Sequence, residues 1–246
     1  MSGTPEGRTA RVVLAARAAS DAQRLLEEAA ELARALHTEL TGLFVEEADL
    51  LSGVGLPVTR EVGLVSGAVR DIDAVATARE LRRQADDVRV RLQRLATALG
   101  LPWSFRVERG DVLEVAVSAA ASDLVILAPR TAAWQRVVGP PLAAAREPTV
   151  AALYDATDAG ERALAAAFDL AAHRPDRVSL LLREGADVEA ARGRAAAHLG
   201  LPTAPATAPW GGLARRRRAV VVSVASVDRS ELRRLLAGES PLILVP

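Results

Sequence analysis

Short runs of aliphatic residues alternate with longer segments in which apolar residues recur every three or four positions. Runs of the first kind, rich in Val, Leu and Ile, are typical of buried strands in a parallel sheet. In the first part of the chain they predict strands at residues 11–17, 41–47, 103–110 and 123–129. Helical segments between such strands imply right-handed crossovers, so the pattern predicts a doubly wound α/β fold.

The helical segments carry start and stop signals. Ser20 and Gln23 have the spacing of a capping pair, which predicts a helix from that point to His37. A long amphipathic helix is predicted at residues 80–99, where a glycine follows its end, and a short helix at residues 112–120.

The same order of elements returns in the middle of the chain. A shift of 138 residues places residues 150–171 on residues 12–33, with many identical letters. Asp158 and Glu161 then take the place of the first capping pair. The repetition indicates two similar half-chains, which usually pack as an internal pseudo-dimer.

The second copy is the shorter one. The letters LGLP occur at residues 99–102 and again at residues 199–202, so the offset has fallen from 138 to 100. Most of the difference corresponds to residues 48–77, whose Gly, Pro and Ser content predicts a long loop with one short element. Aliphatic runs predict further strands in the second copy at residues 177–182, 218–226 and 241–246.

One predicted strand fits both copies. Residues 147–155 match the last strand of the second copy and also the first strand of the first copy. We assign it to the second domain because a helical segment follows it directly, and infer that the first domain lacks a conventional fifth strand. The predicted domains are therefore residues 1–146 and 147–246.

Composition narrows the function classes. Lys plus Arg equals Asp plus Glu, so the overall charge favours neither nucleic acid nor an anionic membrane. The absence of Cys excludes disulfides and thiolate nucleophiles and fits a reducing compartment. No apolar run approaches the roughly 20 residues of a membrane span, so we expect a cytoplasmic protein without an integral membrane segment. The exclusive use of Arg as the basic residue indicates a GC-rich, bacterial genome.

The segment YDATDAGERALAAAFDLA (residues 154–171) and the order of elements resemble the universal stress protein family, here in tandem. The resemblance implies two domains of the adenine-nucleotide-hydrolase-like superfamily. Many members of that family bind ATP. An Asp that closes the first strand faces adenine and ribose, and a glycine-rich loop after the fourth strand wraps the phosphates. Glycines suit this role because backbone N–H groups can then approach the anion closely.

The sequence departs from the family's pattern at several positions. Asp155 matches the family's aspartate, but the corresponding position of the first half is Arg17. The loop after the fourth strand, residues 128–145, contains only Gly139, and the shortened loop at residues 225–240 contains only Gly238. Neither half therefore carries a complete nucleotide site of the family's kind.

The candidate cofactor-binding residues are Asp155, Arg130 and Gly139. Asp155 is either an anchor for adenine or ribose or an ordinary turn residue that helps to cap a helix. Arg130, with Arg136, either replaces missing loop amides with guanidinium groups or is simply solvated. We expect no bound cofactor, with ATP or AMP as the alternative.

Other chemistry-bearing residues are interpreted as structural. The run RRRR at residues 215–218 is interpreted as a solvated turn before a buried strand, because aromatic residues for nucleic-acid stacking are scarce. The three histidines lie near predicted helix C-termini and lack the spacing of metal ligands. Tyr154 and the tryptophans are interpreted as packing residues, although Trp134 could fill the space of a nucleotide. No catalytic motif is present.

These observations favour a regulatory or stress-response protein that is not an enzyme and acts through protein partners or self-association as a homodimer. Residues 48–77 are the expected partner surface. The rival hypothesis is a nucleotide sensor or slow ATP hydrolase that uses Asp155. A third is an accessory to a membrane transporter, an association known for some members of the family.

Overall fold

The computed structural model describes residues 11–47, 60–62, 69–71, 74–129, 150–210 and 217–246. The first half, residues 11–129, contains β1 (Val12–Ala16), α1 (Ala19–Ala35), β2 (Leu40–Glu46), β3 (Arg60–Val62), β4 (Val69–Asp71), α2 (Ala74–Leu99), β5 (Trp103–Arg109), α3 (Val112–Ala120) and β6 (Leu124–Leu127). The second half, residues 150–246, contains β7 (Val150–Leu153), α4 (Asp158–Leu170), β8 (Val178–Leu182), α5 (Val188–Leu199), β9 (Ala206–Pro209), β10 (Ala219–Ser223), α6 (Arg229–Leu236) and β11 (Leu242–Val245).

Nine of these strands form one sheet in the order β5-β2-β1-β6-β11-β10-β7-β8-β9. All neighbouring strands are parallel except β6 and β11, which pair antiparallel with Ile126 opposite Ile243. The expected α/β architecture with a mainly parallel sheet is confirmed. The strands that were predicted as two sheets are continuous, because the aliphatic edges of β6 and β11 bury each other instead of remaining exposed.

Each half uses the same strand order. In the second half β7 lies between β8 and β10, so this strand pairs with the strands that follow it in the chain. In the first half β1 lies between β2 and β6 in the same way. The position next to β6, where a fifth strand of the first half would lie, is occupied by β11 of the second half.

Hydrophobic cores on both faces of the sheet cross the junction between the halves. On one face, α1, α2, α4 and α5 cover residues such as Leu14 and Ala152. On the other face, α3 and α6 cover residues such as Leu127 and Leu244. An ion pair on this second face joins Glu114 of α3 to Arg229 of α6 at 2.9 Å. Side chains of both halves therefore share each core.

Several local predictions were wrong. Helix α1 is capped at Ala18, whose side chain makes no capping hydrogen bond, so Ser20 is an ordinary first-turn residue. Helix α2 begins at Ala74, not at residue 80, and residues 48–77, predicted as a long loop with one short element, include two short strands, the antiparallel pair β3 and β4. The rest of residues 48–73 lies outside the described residues. Strand β9 was missed because its Ala-Thr-Ala-Pro sequence has weak strand propensity.

The interpretation of the arginine run as a solvated turn is also wrong at Arg217. This side chain is 8% exposed, and its Nη1 donates a hydrogen bond to Ser179 Oγ of β8 at 2.6 Å. The Arg217 backbone N–H donates to Ser240 Oγ at 2.8 Å. Arg217 therefore joins the chain ahead of β10 to its neighbours at the amino-terminal edge of the sheet.

Candidate functional site

The second half has a topological switch point, the position at which doubly wound folds bind ligands. The chain leaves β7 for β8 on one side, and β10 lies on the other side, so the strand order reverses at β7. Ligands in such folds bind outside the carboxyl ends of the strands at this switch point. Asp155 lies two residues after the end of β7, at this edge, as the sequence predicted.

The Asp155 carboxylate is engaged in the turn that starts α4. Its Oδ1 accepts hydrogen bonds from the Thr157 backbone N–H at 3.1 Å and from Thr157 Oγ1 at 2.6 Å. Thr157 Oγ1 in turn accepts from the Gly160 N–H at 3.3 Å and is the N-cap of the helix. Asp158 was therefore wrongly predicted as the cap. The aspartate positions the threonine, and the threonine satisfies one of the free amides at the helix start.

Gly160 allows this turn to pack tightly. A β-carbon at this position would lie 2.5 Å from Asp155 Oδ1 and 2.9 Å from the Asp155 backbone nitrogen. Both distances are shorter than side chains tolerate, so helix α4 can approach the end of β7 only because residue 160 has no side chain. Among the described residues, Asp155 Oδ2 accepts no hydrogen bond, which leaves one carboxylate oxygen for another partner.

The second helix at this edge, α6, is also capped by its own residues. Asp228 Oδ1 accepts from the Glu231 N–H at 2.8 Å, and Glu231 Oε2 accepts from the Asp228 N–H at 3.0 Å. The Glu231 amide and the Ser230 hydroxyl hold the pKa of the Asp228 carboxyl below its usual value. The segment that was interpreted as a short loop is thus a helix with a reciprocal capping box.

Arg183, which follows β8, reaches across to the start of α6. Its guanidinium pairs with the Glu231 carboxylate through both terminal nitrogens and donates to the Ser226 carbonyl. It also lies over the ring of Trp210, 5.7 Å from the centroid. Sequence reasoning missed this residue, because Arg183 and Glu231 are 48 positions apart and arginine is abundant throughout the chain.

A further contact joins α4 to the neighbouring strand ends. The carbonyl oxygen of Pro246 accepts from Arg162 Nε of α4 at 2.8 Å and from Ser223 Oγ at 3.0 Å. The ends of β10 and β11 and the first turns of α4 are therefore connected across the switch point. Together with Arg183, these contacts engage several polar groups at the carboxyl edge of the second half with other groups of the chain itself.

The first half presents a different group at the equivalent place. Arg17 follows β1 and lies 3.5 Å from the Asp21 carboxylate in the first turn of α1. Arg130, Gly139, Arg136 and the rest of the loop at residues 130–149, including Trp134, lie outside the described residues. The roles proposed for these residues therefore stay predictions.

Tyr154, the neighbour of Asp155, is a core residue. Its side chain is 1% exposed, and its hydroxyl has no hydrogen-bond partner among the described residues. Burial raises the pKa of the Tyr154 phenol, and the nearby Glu161 carboxylate acts in the same direction. The interpretation as a packing residue is confirmed, and the phenol stays neutral at physiological pH.

The histidines lie close to helix C-termini, as predicted. His37 and His173 follow α1 and α4 in left-handed backbone conformations, and His198 is in the last turn of α5, 3.4 Å from Glu161. In the described part of the chain, no three His, Asp or Glu side chains are grouped as metal ligands would be. Within the same ranges, no helix combines the length and the apolar character needed to cross a bilayer.

In comparisons with known proteins, similarity is found in the structure and not in the sequence. No protein-family model and no curated protein matches the sequence. A universal stress protein from Archaeoglobus fulgidus DSM 4304 has a similar structure, with a TM-score of 0.55, 12% identity and 95% coverage of each chain. A functionally unknown protein from Pseudomonas aeruginosa PAO1 aligns with a TM-score of 0.43, 11% identity, and 96% and 92% coverage of the two chains. The chain has the universal stress protein fold, so the resemblance seen in the sequence is confirmed at the level of the fold.

Proposed function

We propose that this chain is a regulatory or stress-response protein of the universal stress protein type, which catalyses no reaction and acts by binding other proteins. The fold supports the assignment to this type. The lack of cysteine fits the cytoplasmic location that we propose, because disulfides are rare in that reducing compartment.

One observation carries the proposal that the usual nucleotide site is lost. At the switch point of the second half, Thr157 caps the start of α4 and donates a hydrogen bond to Asp155, and Asp228 caps the start of α6. Helix N-termini bind phosphate through free backbone N–H groups and a favourable dipole. Here the Asp228 carboxylate already occupies the start of α6, where the family's phosphate loop would lie, and a polyphosphate would be repelled by it.

The partner surface that we propose lies in residues 48–77, the segment that lengthens the first half. Of this segment the structure describes β3, β4 and the first turn of α2. To test the proposal, residues 60–71 are replaced by a short Gly-Ser linker and partners are captured from a lysate with both forms. We expect the deletion to lose the specific partners while circular dichroism and Tm stay unchanged. Retention of every partner by a folded deletion variant would contradict the proposal.

The alternative, a nucleotide sensor or slow ATP hydrolase, has one observation in its favour. Asp155 Oδ2 has no hydrogen-bond partner among the described residues, so it could accept a ribose hydroxyl or an adenine amine. Steady-state phosphate release from Mg-ATP tests this hypothesis. Activity that is lost in Asp155→Ala and kept in the exposed neighbour variant Asp158→Ala would establish it. Release at the level of a buffer blank would leave the non-enzymatic proposal standing.

A further inference from the structure

The two outer strands of the sheet differ in how they meet solvent. Strand β9 has four residues and ends in Pro209, which cannot donate a ladder hydrogen bond. Strand β5 has seven residues, contains no proline and pairs along its full length with β2. In the described part of the chain, nothing pairs with its outer edge. Long regular edges of this kind are the ones that recruit another strand.

The side chains of β5 add an apolar centre flanked by charges. Among the described residues, Val107 is one of four large apolar residues that are exposed, at 46%. Its neighbours Arg106 and Glu108 lie on the other face of the strand, form an ion pair at 3.2 Å, and are each 40% exposed. Opposite charges two positions apart on an edge strand can be satisfied either within the chain or by the same pair in an antiparallel copy.

We propose that β5 is the interface of a homodimer in which two copies of this chain pair β5 with β5, antiparallel about a two-fold axis at Val107. Such an axis, perpendicular to the sheet, keeps each face continuous and sets residue i opposite residue 214 minus i. Val107 then faces the second Val107. Arg106 of each copy faces Glu108 of the other, so two opposite-charge pairs flank an apolar one.

The charges select this register over its neighbours. An axis at position 106 would set Arg106 opposite Arg106, and an axis at position 108 would set Glu108 opposite Glu108. Like charges directly opposite each other are destabilising in a sheet. An axis that falls between two residues is not allowed. It would set residues from opposite faces of the sheet against each other, whereas directly opposed residues in an antiparallel pair must lie on the same face. The dimer would carry a continuous sheet of eighteen strands, twice the nine of one chain.

Charge reversal distinguishes pairing through β5 from association through a different surface of the protein. Sedimentation velocity is run on the wild type, Arg106→Glu, Glu108→Arg, the double swap and an equimolar mixture of the two single variants. We expect the wild type and the double swap to form dimers. Each single variant sets like charges opposite each other twice, so its dimer dissociation constant should rise about ten- to hundredfold. The mixture should restore association, because unlike chains then present complementary charges.

Arg83→Glu serves as the matched control. It breaks an exposed ion pair with Glu80 on α2 and leaves β5 untouched, so this variant should remain dimeric. Val107→Asp gives a second route, since it places two carboxylates together at the axis, and it should be monomeric. A wild type that stays monomeric at about 100 μM overturns the proposal, and so do folded single variants that remain dimers or fail to associate when mixed.

Discussion

Replacing Gly160 by alanine tests the geometry around Asp155, and a matched substitution is available in another helix. The new β-carbon would lie 2.5 Å from Asp155 Oδ1 and 2.9 Å from the Asp155 backbone nitrogen, so the turn between β7 and α4 must shift. Overpacking of this kind costs about 1–3 kcal/mol. Alanine recovers about 1 kcal/mol of helix propensity, which leaves a net destabilisation of up to about 2 kcal/mol.

The control is Gly193→Ala in α5, where an added β-carbon meets nothing within 4 Å. This variant gains propensity without a clash and should be stabilised by about 0.5–1 kcal/mol. For a chain of this size, 1 kcal/mol shifts Tm by roughly 2–4 °C. Calorimetric melting should therefore show the same substitution lowering Tm at position 160 and raising it at position 193.

A double variant identifies which atom clashes with the new methyl group. Asp155→Ala removes the carboxylate oxygen from the path of the new methyl group but leaves the backbone nitrogen in place. In that background the cost of Gly160→Ala should fall without disappearing, because the two changes are coupled. If Gly160→Ala melts at the wild-type temperature or above it, Asp155 does not close on α4 in the way described.

Two other substitutions probe the start of α6. Because the folded-state pKa of Asp228 is lowered by its capping bonds, its contribution is present above the unfolded pKa of about 3.9 and is lost as pH falls through the folded value. The difference in Tm between wild type and Asp228→Ala should therefore be widest near neutral pH and narrow in acid. Asp228→Asn keeps the cap, so its Tm should differ little from that of the wild type at pH 7. A difference for Asp228→Ala that does not change with pH would contradict the assigned role. Arg183→Ala should destabilise by about 1–2 kcal/mol, discounted for partial exposure, because it strips the buried Glu231 carboxylate of its cation. Chemical denaturation checks it against Arg192→Ala, whose exposed pair with Glu189 should be worth less than about 0.5 kcal/mol, and equal effects would count against a special role for Arg183.

The sequence allowed most strands of the sheet and the place of Asp155 to be predicted, because these depend on local burial. Buried strands such as β1 and β7 are unbroken aliphatic runs, and an aspartate two residues after such a run must lie at the carboxyl edge. The antiparallel contact of β6 with β11 could not be predicted, since strands that distant in sequence carry no local signal of pairing.

Two features of the candidate site were not predicted from the sequence, for different reasons. The bond between Arg183 and Glu231 is non-local, and the abundance of arginine hid it. The cap of α6 could have been predicted, because Asp228 and Glu231 have the three-residue spacing that is typical of a helix start. That segment was interpreted as a shortened nucleotide loop, so its capping spacing was not used to predict a helix.

The central claim is that the second half has exchanged its nucleotide site for internal contacts, and calorimetric titration with Mg-ATP and then AMP tests it most directly. The account predicts no saturable heat at nucleotide concentrations up to about 1 mM, for the wild type and for Asp155→Ala alike. A dissociation constant below about 100 μM would contradict it, provided that binding is lost in Asp155→Ala and kept in Asp158→Ala. In that case Asp155 Oδ2 would be a ligand contact, and the protein a nucleotide sensor.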